Sequence, residues 1–363
     1  MIITNDFSHS FPAIRGIQAG RAFYIAMCPM KVIPKIFVFN EEEVPPELRA
    51  QRTLNNNRIP EIAAYLVNNP KDFILSALTA SVDADMNFVP HGESSASSNM
   101  GTLQIPMDAH ILINDGQHRR AAIEEALKEN PALGLENIPV LFFIDSGLKR
   151  SQQMFADLNK YAIRPSTSLS TLYDHRDSSS ELARYLMQNV IVFKQLTEKE
   201  KSTISNRSSK LFTLSSIKQA SKALLRKGLK VAVTEEEKKL AGAYWNAVAE
   251  QMSDWQKALR RTVATAELRQ NYIHSHGITL HALGVAGAEL LAKYPKDWQS
   301  KIKQLKKIDW SRSNIALWEG RAMIHGRISK ALSNIQLTSN VVKKAYGLRL
   351  TAEDQALEKK IAK

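Results

Sequence analysis

The chain has 363 residues, 44% of them apolar, which is long enough for two domains with real cores and holds no run of 18 apolar residues that could span a membrane. Cys28 is the single cysteine, so an intramolecular disulfide is excluded and a cysteine-based zinc site is not expected. The net charge of +13 is uneven: residues 1–180 hold 16 Lys+Arg against 20 Asp+Glu, and residues 181–363 hold 33 against 16. A basic excess confined to one half points to a polyanionic partner, nucleic acid before an anionic membrane surface.

In chain order, the opening segment Met1–Gly16 has neither a basic start nor an apolar stretch behind it. It is not read as a signal peptide, and a reducing cytoplasm is the expected compartment. Val32–Phe39, Phe73–Val82 and Ile138–Asp145 are short apolar runs between turn residues and are predicted as strands. Arg49, Arg52 and Arg58 sit among three asparagines before a helix with Pro60 near its start, and are candidates for contacts to DNA phosphates.

The stretch Ile111–Leu127 is the most informative. Ile111–Ile113 reads as a buried strand, Asn114–Gly116 as a tight turn, and Gln117–Glu129 as a helix with Ala122, Ile123, Ala126 and Leu127 facing inward. With Ile138–Asp145 as the next strand the unit is strand–helix–strand, in which a helix start commonly binds an anion. His118, Arg119 and Arg120 fall in the first helical turn, where cations oppose the helix dipole. A bound phosphate would offset that cost, so replacing Arg119 and Arg120 is expected to leave stability unchanged or slightly improved. Asp115 could cap the helix, bind a metal with the phosphate, or orient His118.

From about residue 176 the pattern is helical. Thr234 and Glu237 have capping-box spacing, followed by Leu240, Tyr244, Val248, Met252, Trp255 and Leu259 on one face. Ile204–Phe212 offers Arg207 and Lys210 for DNA backbone contacts. It leads into a helix carrying Lys218, Lys222, Arg226 and Lys227, a candidate recognition helix. His274, His276 and His281 lack an accompanying carboxylate cluster and are read as packing or surface histidines, with no metal site. The expectation is an α+β chain with an α/β domain at 1–175 and an all-helical, basic DNA-binding domain at 176–363.

Asp115–Ile123, "DGQHRRAAI", resembles the DGQHR motif of the ParB/sulfiredoxin-like superfamily. Pro12–Pro29, Pro46–Leu66, Phe155–Leu169 and Ile204–Ile217 are similar, in order, to blocks of one branch, the DndB proteins of DNA sulfur modification. The resemblance implies a ParB-like N-terminal domain with a nucleotide or phosphate site at Asp115, Gly116, Gln117, His118, Arg119 and Arg120, together with Asn159. The cofactor of such a site would be ATP or another nucleoside triphosphate with Mg. It further implies a negative regulator that binds double-stranded promoter DNA of the phosphorothioation genes, alongside other modification proteins and as an oligomer, with no membrane partner. The alternative is an NTPase or DNA-nicking enzyme with Asp115 and His118 as catalytic candidates. The family's Gln-Arg pair is absent from Asp157–Arg164, and no Walker loop occurs in the chain.

Overall fold

The computed structural model describes residues 7–37, 58–94, 97–144, 153–154, 157–158, 165–228 and 231–361. The chain divides into two compact units, 1–163 and 164–363. The first holds 14 Lys+Arg against 18 Asp+Glu and the second 35 against 18, so the basic excess belongs to the second. No helix among the described residues is long and apolar enough to cross a membrane.

The first unit begins with a hairpin, β1 (Ser8–Gln18) and β2 (Arg21–Pro29). Its two-residue turn places both Ala19 and Gly20 at positive φ, the geometry whose twist suits paired strands. Alternation buries Phe11 and Ala13 from β1 and Tyr24, Ala26 and Cys28 from β2 on one face. Burial pushes the Cys28 thiol up to about 12, which makes it inert. Then follow α1 (Ile33–Ile36), α2 (Arg58–Asn68), β3 (Leu78–Val82), β4 (Asn87–Pro90), β5 (Met100–Pro106), β6 (Ile111–Asp115), α3 (Gln117–Glu129) and β7 (Asn137–Ile144). The strands form one sheet in the order β4-β5-β1-β2-β7-β3-β6, in which only β7 and β3 run parallel. Ile33, Ile36, Ala63, Leu66, Ala122, Ile123 and Ala126 from the three helices share its core.

Two expectations change here. The first apolar run is a short helix, not a strand, because Pro34 lacks the N–H that a ladder needs and suits a helix start; Val38 and Phe39 lie outside the described residues. The second joins the sheet only at Leu78. The strand–helix–strand unit exists along the chain, but β3 lies between β6 and β7 and pairs antiparallel with one and parallel with the other. β6 and β7 therefore run in opposite directions, and the unit is not the parallel crossover of a dinucleotide-binding fold.

The second unit is built from helices: α4 (Thr167–Tyr173), α5 (Ser178–Asn189), α6 (Ile191–Leu196), α7 (Leu214–Leu224), α8 (Glu235–Gln251), α9 (Ser253–Leu259), α10 (Thr265–Asn271), α11 (Gly277–Lys293), α12 (Leu332–Ala345) and α13 (Ala352–Ile361), with shorter turns between. It is not wholly helical. Thr197–Glu198 pairs with Phe212–Thr213, closing the loop between them, and Met323–Ile324 pairs with Arg327–Ile328. The capping box of Thr234 and Glu237 starts α8, contributing about 1 kcal/mol. Of the face expected there, Tyr244, Val248, Met252 and Trp255 are buried, while Leu240 is exposed and Leu259 half-buried. Helix α11 runs through the core against α7 and α12. A Cβ at Gly284 would fall 2.1 Å from the Ala220 carbonyl oxygen, so that contact with α7 requires glycine.

Candidate phosphate and nucleic-acid sites

The DGQHR segment joins β6 to α3. Gly116 takes φ +106°, open to glycine at little cost, and its carbonyl accepts the Arg120 N–H at 2.9 Å to close the first helical turn. The Gln117 amide turns back onto the strand end, donating to the Ile113 and Asn114 carbonyls at 3.0 and 3.3 Å. Arg119 pairs with Asp115 at 2.7 Å and donates to the hydroxyl and carbonyl of Ser76. Arg120 pairs with Glu124 at 2.5 Å, while its remaining nitrogens donate to the carbonyls of Pro34 and Phe37 at 3.1 and 3.0 Å. It thereby satisfies carbonyls at the end of α1 that the helix itself cannot. His118 is half-buried. Burial lowers its pKa, and the charge of Arg58 at the start of α2 lowers it further.

The cost of two cations at a helix start is therefore offset within the chain itself, by Asp115, Glu124 and backbone carbonyls. Exposure sharpens the point. The Arg119 and Arg120 side chains are 16% and 12% exposed, whereas Asp115 and Glu124 are 45% and 40% exposed. Within these two ion pairs the more solvent-exposed member is the carboxylate, which repels an anion. As arranged, these residues do not fit a nucleoside triphosphate, because its phosphates would have to displace Asp115 from Arg119. Asp157 accepts a hydrogen bond from Gln153 at 2.7 Å; Asn159, Arg49 and Arg52 lie outside the described residues.

In the second unit the candidates separate into two groups. Helix α7 is not presented as a recognition helix. Leu214, Ile217, Ala220 and Leu224 bury it against α5 and α11. Lys218 is bound to Asp177 and to the Ser180 hydroxyl, and Lys227 pairs with Glu237 at 2.8 Å. Burial works to raise the Asp177 pKa, but hydrogen bonds from Lys218, Ser179 and Ser180 hold the carboxyl well below its ordinary value. Lys222 is half-buried, and Arg226 is exposed just past the helix end at φ +51°.

The loop Ile204–Lys210 is different. Arg269 of α10, itself buried, donates to the carbonyl oxygens of Ser205, Asn206, Ser208 and Lys210 and so fixes the loop from behind. Thr265 adds a bond to the Ser208 carbonyl at 2.8 Å, and the Lys210 ammonium reaches Gln195 O at 2.7 Å. Arg207 is left exposed. A cavity of about 1080 Å³ beside the loop is lined by Lys194, Arg207, Lys210 and Arg261, with no aspartate or glutamate in its wall. Arg207 and Lys210 are expected from sequence; Lys194 and Arg261 are not, since each is a single basic residue near a helix end outside the loop.

The histidines at 274, 276 and 281 do not converge. His274 is buried and bonded to Asp254 and Ser275, His276 bonds the Arg269 carbonyl, and burial lowers the pKa of His281.

Neither curated proteins nor solved structures give a significant match. One family model does match, described as DndB, DNA-sulfur modification-associated, and it spans residues 11–349, covering both units. With nearly the whole chain matched, this protein belongs to the DndB family and has a role in DNA sulfur modification.

Proposed function

We propose that the protein is a cytoplasmic DNA-binding negative regulator of the phosphorothioation genes, gripping promoter DNA through its second unit. The observation that carries this reading is the acid-free basic wall around the loop Ile204–Lys210. Lys194, Arg207 and Arg261 are exposed, and none forms an ion pair among the described residues. Cations left unpaired on a unit of such basic excess suit DNA phosphates, whose neutralisation releases counterions. The hydrogen bonds from Arg269 hold the loop in place beforehand, so little ordering cost falls on binding. Phosphate contacts set position and leave sequence readout to other groups.

On this reading the first unit, which we take as the ParB/sulfiredoxin-like module its motif resembles, uses the DGQHR side chains to hold α1, β3 and α3 together. The test is binding of full-length protein to its own promoter duplex and to an unrelated duplex, paired with transcript levels after deletion of the gene. Preferential binding and raised transcripts of the modification genes are expected. Equal binding to both duplexes with unchanged transcripts would refute regulation and favour the enzymatic alternative.

A further inference from the structure

A second cavity, of about 570 Å³, adjoins the basic wall and shares Asn206 and Ala266 with it. Its lining includes Arg269, His276, Arg312 and Lys330 together with the hydroxyls of Thr213 and Ser216, and no aspartate or glutamate. Arg269 is only 9% exposed, and among the described residues its guanidinium donates to carbonyl oxygens alone. Arg312 likewise donates to carbonyls, those of Gln270 at 3.1 Å and Gly326 at 2.7 Å. Lys330 is exposed and forms no ion pair among the described residues. A buried charge is ordinarily paired with an opposite one, and among the described residues no carboxylate pairs with Arg269.

The three cations act on one point. Burial brings the His276 pKa down to about 4, against a raising hydrogen bond to the Arg269 carbonyl, and Arg312, Lys330 and Arg269 each depress it further. His276 is thus neutral at pH 7, and its side chain does not cap α11. The open start of that 17-residue helix, at Gly277, adds its positive end to the same wall.

We propose that this cavity is an anion site for a phosphoryl group, with Arg269, Arg312 and Lys330 supplying the charge. A volume of about 570 Å³ is in the range of small-ligand sites, roughly 300–1,000 Å³. The phosphoryl group comes either from a free phosphorylated small molecule or from a backbone phosphate of bound DNA. This goes beyond the regulatory reading and stands whether or not Arg207 contacts DNA.

The experiment titrates full-length protein with inorganic pyrophosphate, ATP and a short duplex, comparing wild type with Lys330→Ala and Arg312→Gln. Lys330→Ala removes an exposed side chain, so it keeps the test valid should Arg312→Gln misfold through loss of its carbonyl bonds. At least one probe is expected to bind wild type and to bind Lys330→Ala about tenfold more weakly. Loss confined to pyrophosphate and ATP identifies a free ligand, and loss confined to the duplex identifies the DNA backbone. Occupancy should also raise the His276 titration midpoint, read by NMR. Failure of every probe to bind, or binding to both variants within twofold of wild type, overturns the site. If Arg207→Ala leaves duplex binding intact while Lys330→Ala weakens it, the reading of the loop fails and this one stands.

Discussion

The Arg119–Arg120 pair of the first unit and the cavity-wall arginines of the second are used in opposite ways. In the first, Arg119 and Arg120 are more buried than the carboxylates that hold them, and their remaining nitrogens stitch α3 to α1 and to the segment before β3. In the second, Arg207 and Arg261 stand exposed in a wall without acids, while Arg269 and Arg312 meet only carbonyls. A cation neutralised by its own chain supports the fold. One without a counter-charge is available to a partner. The motif that catches the eye in the sequence belongs to the first kind.

The sharpest way to break this comparison is Arg120→Ala. It removes a bond to Glu124 and leaves two carbonyls of the α1 end without their donor. Hydrogen bonds to charged groups contribute about 1.5–3 kcal/mol each, so a loss of roughly 2–4 kcal/mol is expected in urea denaturation. A variant as stable as wild type would return Arg120 to the phosphate reading, for which the sequence argument anticipates no loss at all.

Acid gives the next largest effect. Between about pH 6.5 and 4 the unfolded chain binds a proton at His276 that the folded chain does not. Stability therefore falls as pH drops through that window, by up to roughly 3 kcal/mol. His118 and His281, both lowered by burial, act in the same sense. Asp254, held at about 2 chiefly by its hydrogen bond from His274, loses its contribution only below about pH 4. His276→Gln should flatten the pH 4–7 profile, and an unchanged slope would show that His276 is not buried neutral.

Asp177→Ala probes a cation of the second unit that is neutralised internally. It removes the cap of α5 and the partner of Lys218, and a loss of about 1–2 kcal/mol is expected in thermal melts. DNA affinity should hold or rise slightly, because Lys218 is released. A marked fall in affinity at normal stability would place Asp177 in the interface.

The smallest stability effect belongs to Arg207→Ala, within about 0.5 kcal/mol of wild type, as for an exposed residue away from caps and core. A larger loss would mean that the loop depends on it.

Where local signals were strong the sequence was legible. Helix Gln117–Glu129 and the box of Thr234 and Glu237 stand where periodicity and capping chemistry put them. The Ala19-Gly20 turn lacks the Asn-Gly or Asp-Gly signal of such hairpins, so its pairing is not legible locally. What local pattern could not carry was pairing across the chain. β3 slots between β6 and β7, so the two strands of the strand–helix–strand unit are not neighbours and run in opposite directions. The same limit governed the candidate sites. Nothing near Arg120 announces Pro34 and Phe37, 86 and 83 residues earlier, as its partners. Arg269 lies about 60 residues beyond the loop it fixes, in a helix whose own pattern is unremarkable. Lys218 looked free because its partner, Asp177, belongs to another helix.

The most direct measurement is the salt dependence of promoter binding for full-length protein, wild type against Lys194→Ala combined with Arg207→Ala and Arg261→Ala. All three side chains are exposed, so the variant should fold normally. Wild-type affinity should fall steeply with salt, and the variant should bind more weakly with a log–log slope shallower by about 2–3, roughly one unit per lost phosphate contact. Equal slopes and equal affinities would contradict a DNA grip at this wall.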